Sequence, residues 1–147
     1  MAHFAELKEK TDPTGFTAET HLIVERVIVV DNAHVQSDEH VSGENWCSTF
    51  FNGGIWKQTS YNAKFRKKYA GLGDRYDASK NKFIGQQPFA SWSLDGNDDW
   101  QAPVTYPTDT EDYKISWDED NQRWTGIKKS DQSNWNWDAS GLTWVSA

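Results

Sequence analysis

The side chains in this sequence best equipped for chemistry are carboxylates and indoles, and they lie close together. Asp118, Asp120 and Asn121 precede Trp124 within WDEDNQRW. A flat ring beside acid and amide groups suits a sugar, since the ring can cover the apolar face of a pyranose while the polar groups bond its hydroxyls. Paired carboxylates could also serve a glycosidase as general acid and base. Asp95-Gly96-Asn97-Asp98-Asp99 opens like a calcium loop. Its sixth position is Trp100 and its twelfth Tyr106, where such a loop needs Gly and an acid. His34, Asp38, Glu39 and His40 lack metal-ligand spacing and sit in a polar stretch that reads as a solvated loop. Ala70-Gly71-Leu72-Gly73 has neither the further glycine nor the strand-to-helix setting of a phosphate loop. Cys47 is the single cysteine. It lies between Trp46 and Phe50-Phe51, with no His placed by a motif to activate it, and reads as an inert buried thiol. No metal, no cofactor and no catalytic residue is expected.

Where the acids fall explains why. An aromatic residue followed at once by Asp, and by a second aromatic seven positions after the first, occurs at Tyr76-Asp77…Phe83, Trp117-Asp118…Trp124 and Trp137-Asp138…Trp144. Leu94-Asp95…Trp100 is a copy one residue shorter with an aliphatic opening. The spacing predicts β-hairpins in which residue i pairs with i+7 around a four-residue loop. Asp at the mouth can accept bonds from backbone N–H groups two or three residues on. Asn81 and Gly141 are the candidates for the positive φ that such loops need. An Asp in an exposed turn keeps an ordinary, ionised carboxylate, which argues against acid catalysis and against an enzyme. One hairpin is marginal in water, so these must pack on each other, on the N-terminal half or on another subunit.

Seven of the nine Trp lie at or beyond Trp92. Residues 1–91 hold 11 acids and 11 bases, and residues 92–147 hold 11 acids and 4 bases, so the net charge of −7 sits in the second segment. That segment would repel nucleic-acid phosphates and anionic membranes. The only basic cluster is Lys64, Arg66, Lys67, Lys68 and Arg75. It is too small a surplus for nucleic acid and is expected to complement the acidic half in an interdomain or intersubunit contact. A lone cysteine fits folding in a reducing compartment. MAHFAELKEK lacks the apolar core of a signal peptide, and His21–Val30, broken by Glu25 and Arg26, is too short to span a bilayer.

Met1–Glu6 alternates like an opening strand, and Lys8–Glu19 is turn-rich. His21–Asp31 is the strongest strand signal because of its β-branched density. Its continuity suggests burial on both faces at the centre of the core. Glu44–Phe51 reads as a short helix or strand, Asn52-Gly53-Gly54 as a turn, and Ile55–Ser60 as a strand. The expected fold class is mainly β: an antiparallel sheet core from the N-terminal strands, plus tandem hairpins with cross-strand aromatic pairs. The expected division is residues 1–87 and 88–147.

Several strings are specific as sequence: MAHFA, Val27-Ile28-Val29-Val30, Gln58-Thr59-Ser60-Tyr61-Asn62, the R-K-x-Y-A-G-x-G of Arg66–Gly73, Tyr76-Asp77…Phe83-Ile84, and Trp92-x-Leu94 followed by the W-x-A-P-x-x-Y-P of Trp100–Pro107. Together they resemble a family of small proteins from marine tailed phages, of cyanobacteria and pelagic bacteria, described as uncharacterised or as virion components. The hairpin pattern is also similar to segments of phage tail-fibre proteins. The resemblance implies a virion structural protein, made in the host cytoplasm, which decorates the capsid or attaches to tail or fibre. Other virion proteins are its expected partners, with assembly as a homo-oligomer or in many copies. The second expectation is a glycan-binding module that recognises the host surface. Trp117, Trp124, Trp135, Trp137 and Trp144 are the candidates for interface or glycan stacking, with Trp135, Trp137 and Trp144 foremost as exposed anchors. Lys64, Arg66, Lys67 and Lys68 are the candidate basic contact.

Overall fold

In a computed structural model, which describes residues 1–36 and 40–147, the β-branched stretch forms strand β2 (Thr20–Val30). It is the middle strand of a five-stranded antiparallel sheet of order β3-β1-β2-β4-β5, with β1 Ala2–Thr11, β3 Ile55–Thr59, β4 Arg75–Asp77 and β5 Lys82–Ile84. Alternation along β1 and β2 sends apolar side chains to both faces. Ala2, Phe4 and Val30 pack with Cys47 and Trp56 on one side, beneath helix α1 (Val41–Phe50). Ala5, Leu7 and Val24 pack with Ala70, Tyr76 and Phe83 on the other. A register shift between Glu6 and Leu7 pairs Glu6 with Arg26 and Leu7 with Val24, leaving Glu25 as the extra residue of a β-bulge. The chain divides into two compact units, Met1–Gln86 and Gln87–Ala147.

Strand β1 runs five residues past the expected Glu6. The turn-rich reading of Lys8–Glu19 therefore shrinks to Asp12–Glu19, closed by Asp12 N–H donating to the Glu19 carbonyl at 2.8 Å. Lys8, Glu9 and Lys10 have no apolar side chains of their own. They extend because Ile23, Leu22 and His21 stand opposite them, and Lys10 forms an ion pair with Glu25.

In the second unit β6 (Ser93–Leu94) and β7 (Trp100–Gln101) form a short ribbon. The remaining strands make a four-stranded antiparallel meander: β8 Tyr113–Asp118, β9 Arg123–Lys128, β10 Asn134–Asp138 and β11 Thr143–Ser146. Tyr76 pairs with Phe83, Trp117 with Trp124, and Trp137 with Trp144, as the seven-residue spacing predicts. The shorter copy pairs Leu94 with Trp100. A hairpin the pattern misses joins β9 to β10, with Ile127 opposite Asn134. It has the same spacing, but no ring at either end and no Asp after the opener. Openers Trp117, Ile127 and Trp137 thus recur every ten residues, one per reversal. Among the described residues no helix is long and apolar enough to cross a membrane.

Gly43 is fixed by packing. A Cβ there would lie 2.3 Å from Cζ and 2.8 Å from Cε1 of Phe4, a ring with no exposed surface. Gly43→Ala would gain up to ~1 kcal/mol of helix propensity and lose roughly 1–3 kcal/mol to overpacking. The variant should therefore unfold at lower denaturant than the parent chain. An unchanged or raised midpoint would show that α1 does not bear on Phe4.

Candidate interaction surfaces

The turn acids are engaged in their own hairpins. Asp138 Oδ1 accepts from Ser140 N and Gly141 N, each at 3.1 Å, and from Ser140 Oγ at 2.8 Å. Asp118 accepts from Asn121 and Arg123, Asp77 from Ser79 and Lys80, and Asp95 from Asn97 and Asp99. Of the group expected to bind sugar, Asp118 and Asn121 bond each other within the loop and Trp124 is buried, which leaves only Asp120 without a bond among the described residues. These bonds favour the charged form. The side chains of Ser79, Asn121 and Ser140 are the first causes that hold Asp77, Asp118 and Asp138 below the usual carboxylate range. Positive φ falls on the last loop residue in each case: Asn81 (54°), Gln122 (48°), Gln132 (62°) and Leu142 (53°). Gly141 does not hold it, contrary to expectation. Gly is needed there because a Cβ would stand 2.8 Å from Asp138 Oδ2.

The aromatic residues of β8–β11 pave one sheet face. Trp124, Trp137 and Trp144 are only 7%, 6% and 7% exposed, and Trp117, Trp135, Tyr113, Ile115 and Trp92 pack against them. Trp124 Nε1 donates to the Val104 carbonyl (2.8 Å) and Trp144 Nε1 to that of Asp109 (2.9 Å). Trp137 and Trp144 are thus not the exposed anchors expected. Their rings, and that of Trp124, form the core that this unit needs. Trp117 and Trp135 are half-buried, bonded through Nε1 to Glu119 and Ser133. The rings of Trp144 and Tyr113, from opposite edge strands, stack at 4.5 Å over Gly126, where a Cβ would come within 2.9 Å of the indole.

The basic segment is also corrected. Arg66 Nη1 donates to Glu44 Oε2 at 2.7 Å and to the Gln58 carbonyl at 2.9 Å, Arg66 Nε donates to Asn81, and Lys68 is ion-paired with Asp74. Lys67 is likewise engaged. Glu44 and Asp74, the acids against Arg66 and Lys68, belong to the same unit, so these two are not free to complement the acidic half. Of the four candidates only Lys64 leaves its ammonium group uncommitted among the described residues.

Cys47 is buried in the core, and burial pushes its thiol up to about 11. Asp38 and Glu39 lie outside the described residues. His34 stacks on Trp46 at 4.5 Å, and His40 Nδ1 donates to Gln58 Oε1 at 2.6 Å. Among the described residues no group of His, Cys, Asp or Glu could hold a metal ion.

One surface escaped the sequence reading. Trp46 and Phe50 stack at 4.8 Å on α1, Phe50 meets Phe51 edge-on at 4.9 Å, and Phe51 stacks on Trp56 at 4.8 Å with the Arg26 guanidinium 4.5 Å above its ring. Phe50, in the middle of this row, is 65% exposed. The i,i+4 spacing of Trp46 and Phe50 could have revealed it had the segment been read as a helix. Compared with known proteins, the chain matches no family model, no curated sequence and no solved structure.

Two outcomes follow from this geometry. Gly126→Ala should lower the unfolding midpoint of the second unit, since the ring stack must move to admit a methyl group; an unaltered midpoint would mean the stack is not held closed. The depressed carboxyls bind protons more readily in the unfolded chain. Their stabilisation is complete above the unfolded value of about 4 and is lost as pH falls through the folded values below it. Asp118→Asn with Asp138→Asn should flatten that acid limb in urea melts taken across pH, whereas an equally steep limb would contradict it.

Proposed function

We propose that this chain is a structural protein of a phage virion, attached to capsid, tail or fibre, which acts by binding neighbouring proteins and not by catalysis. The observation that carries the reading is the aromatic row on α1 and β3. Phe50 stands 65% exposed between the half-buried rings of Trp46 and Phe51; a large ring left open in an aromatic cluster suits a protein-binding site, and aromatic residues with Arg are enriched where such sites close. Phe50 would be the anchor, flanked by Trp46 and Phe51, with Arg26 over the inner end. The likeness of the MAHFA, Q-T-S-Y-N and W-x-A-P-x-x-Y-P strings to marine-phage proteins supplies the virion context. Virion proteins are therefore the proposed partners, and the particle the proposed location.

Mass spectrometry of purified particles tests this. The chain should be present at a fixed ratio to the major shell protein, in hundreds of copies for shell decoration or a handful to a dozen for tail or fibre. Phe50→Asp should fold normally, because the side chain is exposed, and should drop out of particles. Absence of the parent chain from particles, or full incorporation of the variant, would overturn the reading.

A further inference from the structure

A second surface differs from all of these in having polar groups left over. At one end of the five-stranded sheet, His3, Asn32, Gln58, Tyr61, Asn62 and Lys64 line a recess of about 280 Å³. That is at the small end for ligand sites and suits one ring-sized group. Tyr61 is 68% exposed; His3 stacks beneath it at 5.7 Å with an interplanar angle of 25°, and Tyr69 supports it edge-on at 5.4 Å. One face of the phenol ring is thus backed and the other is open.

The turn that carries these groups is fixed in place. Ala63 N–H donates to the Ser60 carbonyl (2.9 Å), Lys64 N–H to Ser60 Oγ (3.0 Å), and Ala70 N–H to Thr59 Oγ1 (2.8 Å) from the buried floor. His40 uses the Gln58 carbonyl oxygen, leaving that amide's NH₂ to donate. The side chains of Asn32, Asn62 and Lys64 bond to nothing among the described residues, whereas Asn121 and the opening acids Asp118 and Asp138 of the hairpin loops are engaged. Among the described residues no acid lines the recess, in a chain of net charge −7.

We infer that this recess binds the end of an acidic saccharide, a sugar ring bearing a carboxylate. The open face of Tyr61 would lie against the apolar face of the pyranose. The amides of Asn32, Gln58 and Asn62 would bond adjacent hydroxyls, and the Lys64 ammonium would meet the carboxylate. Lys64 disfavours a basic or cationic ligand, as no acid among the described residues lines the recess to offset it. This site is separate from the aromatic row on α1 and does not depend on the virion role.

The test uses the 147-residue chain, ¹⁵N-labelled, titrated separately with glucuronate, methyl glucoside and inorganic phosphate. Glucuronate should give saturable shifts at the backbone amides of Tyr61 and Asn62 and the side-chain amides of Asn32 and Asn62. Methyl glucoside should shift the same signals with affinity weaker by about twofold to fivefold, the range of one partly exposed charged contact. Lys64→Gln should bring glucuronate down to the neutral sugar's affinity, and Tyr61→Ala should weaken both by about tenfold or more. Absence of saturable shifts with glucuronate would overturn the assignment. So would equal shifts with phosphate, which would mean an anion site without sugar recognition, or unchanged binding by Tyr61→Ala in a folded chain. Loss of particle incorporation in Phe50→Asp has no bearing on any of these readings.

Discussion

The constraint behind the second unit is its size. A unit of about sixty residues buries only about three-fifths of the surface its unfolded chain exposes, and its longest strands have six residues. Aliphatic side chains on strands so short would leave a thin core. Indoles and phenols bury about 150–250 Å² each, and pairing them across each reversal gives every hairpin a contact that its neighbour can share. Trp124 touches Trp117, Trp92 and Tyr106, while Trp144 touches Trp137 and Tyr113. Gly126 allows the two edge strands to meet over the sheet centre. The first unit meets the same need differently, with one strand of branched residues that contributes to a core cluster on each face.

What could be read from the residues alone was whatever a local rule controls. Ring–Asp–ring at seven fixes register, because opposite residues in a tight reversal must count the same number of positions to the turn. The pairs at Tyr76, Trp117 and Trp137 all obey it. The Ile127–Asn134 reversal shares the count but not the side chains, and so was invisible. Leu142 in place of Gly141 at the left-handed position shows the limit of assigning φ from composition: the loop fixes which position is left-handed, and glycine can be required next door for space. The far half of β1 was missed because its support comes from β2 and not from its own sequence.

The candidate sites were less legible, for a related reason. A charged or aromatic residue is visible in a sequence, but whether something already occupies it is a tertiary fact. Arg66 looks like a free cation until Glu44, 22 residues away, is found against it. Trp137 and Trp144 look like anchors until they are seen as the core. Conversely, Asn32, Asn62 and Lys64 look unremarkable in the chain, and only the folded sheet brings these side chains, unengaged among the described residues, beside Tyr61.

The crossed indoles have a consequence beyond packing. Trp117 and Trp124 lie 5.0 Å apart at 67°, and Trp137 and Trp144 5.2 Å apart at 66°. Transition dipoles at such range and tilt couple, so each pair absorbs ultraviolet light as one chiral chromophore. The second unit therefore carries an optical signature of its own assembly, a split circular-dichroism band that exists only while the hairpins are closed. The indoles at Trp46 and Trp56 reach one another through phenylalanine rings and would contribute little to it.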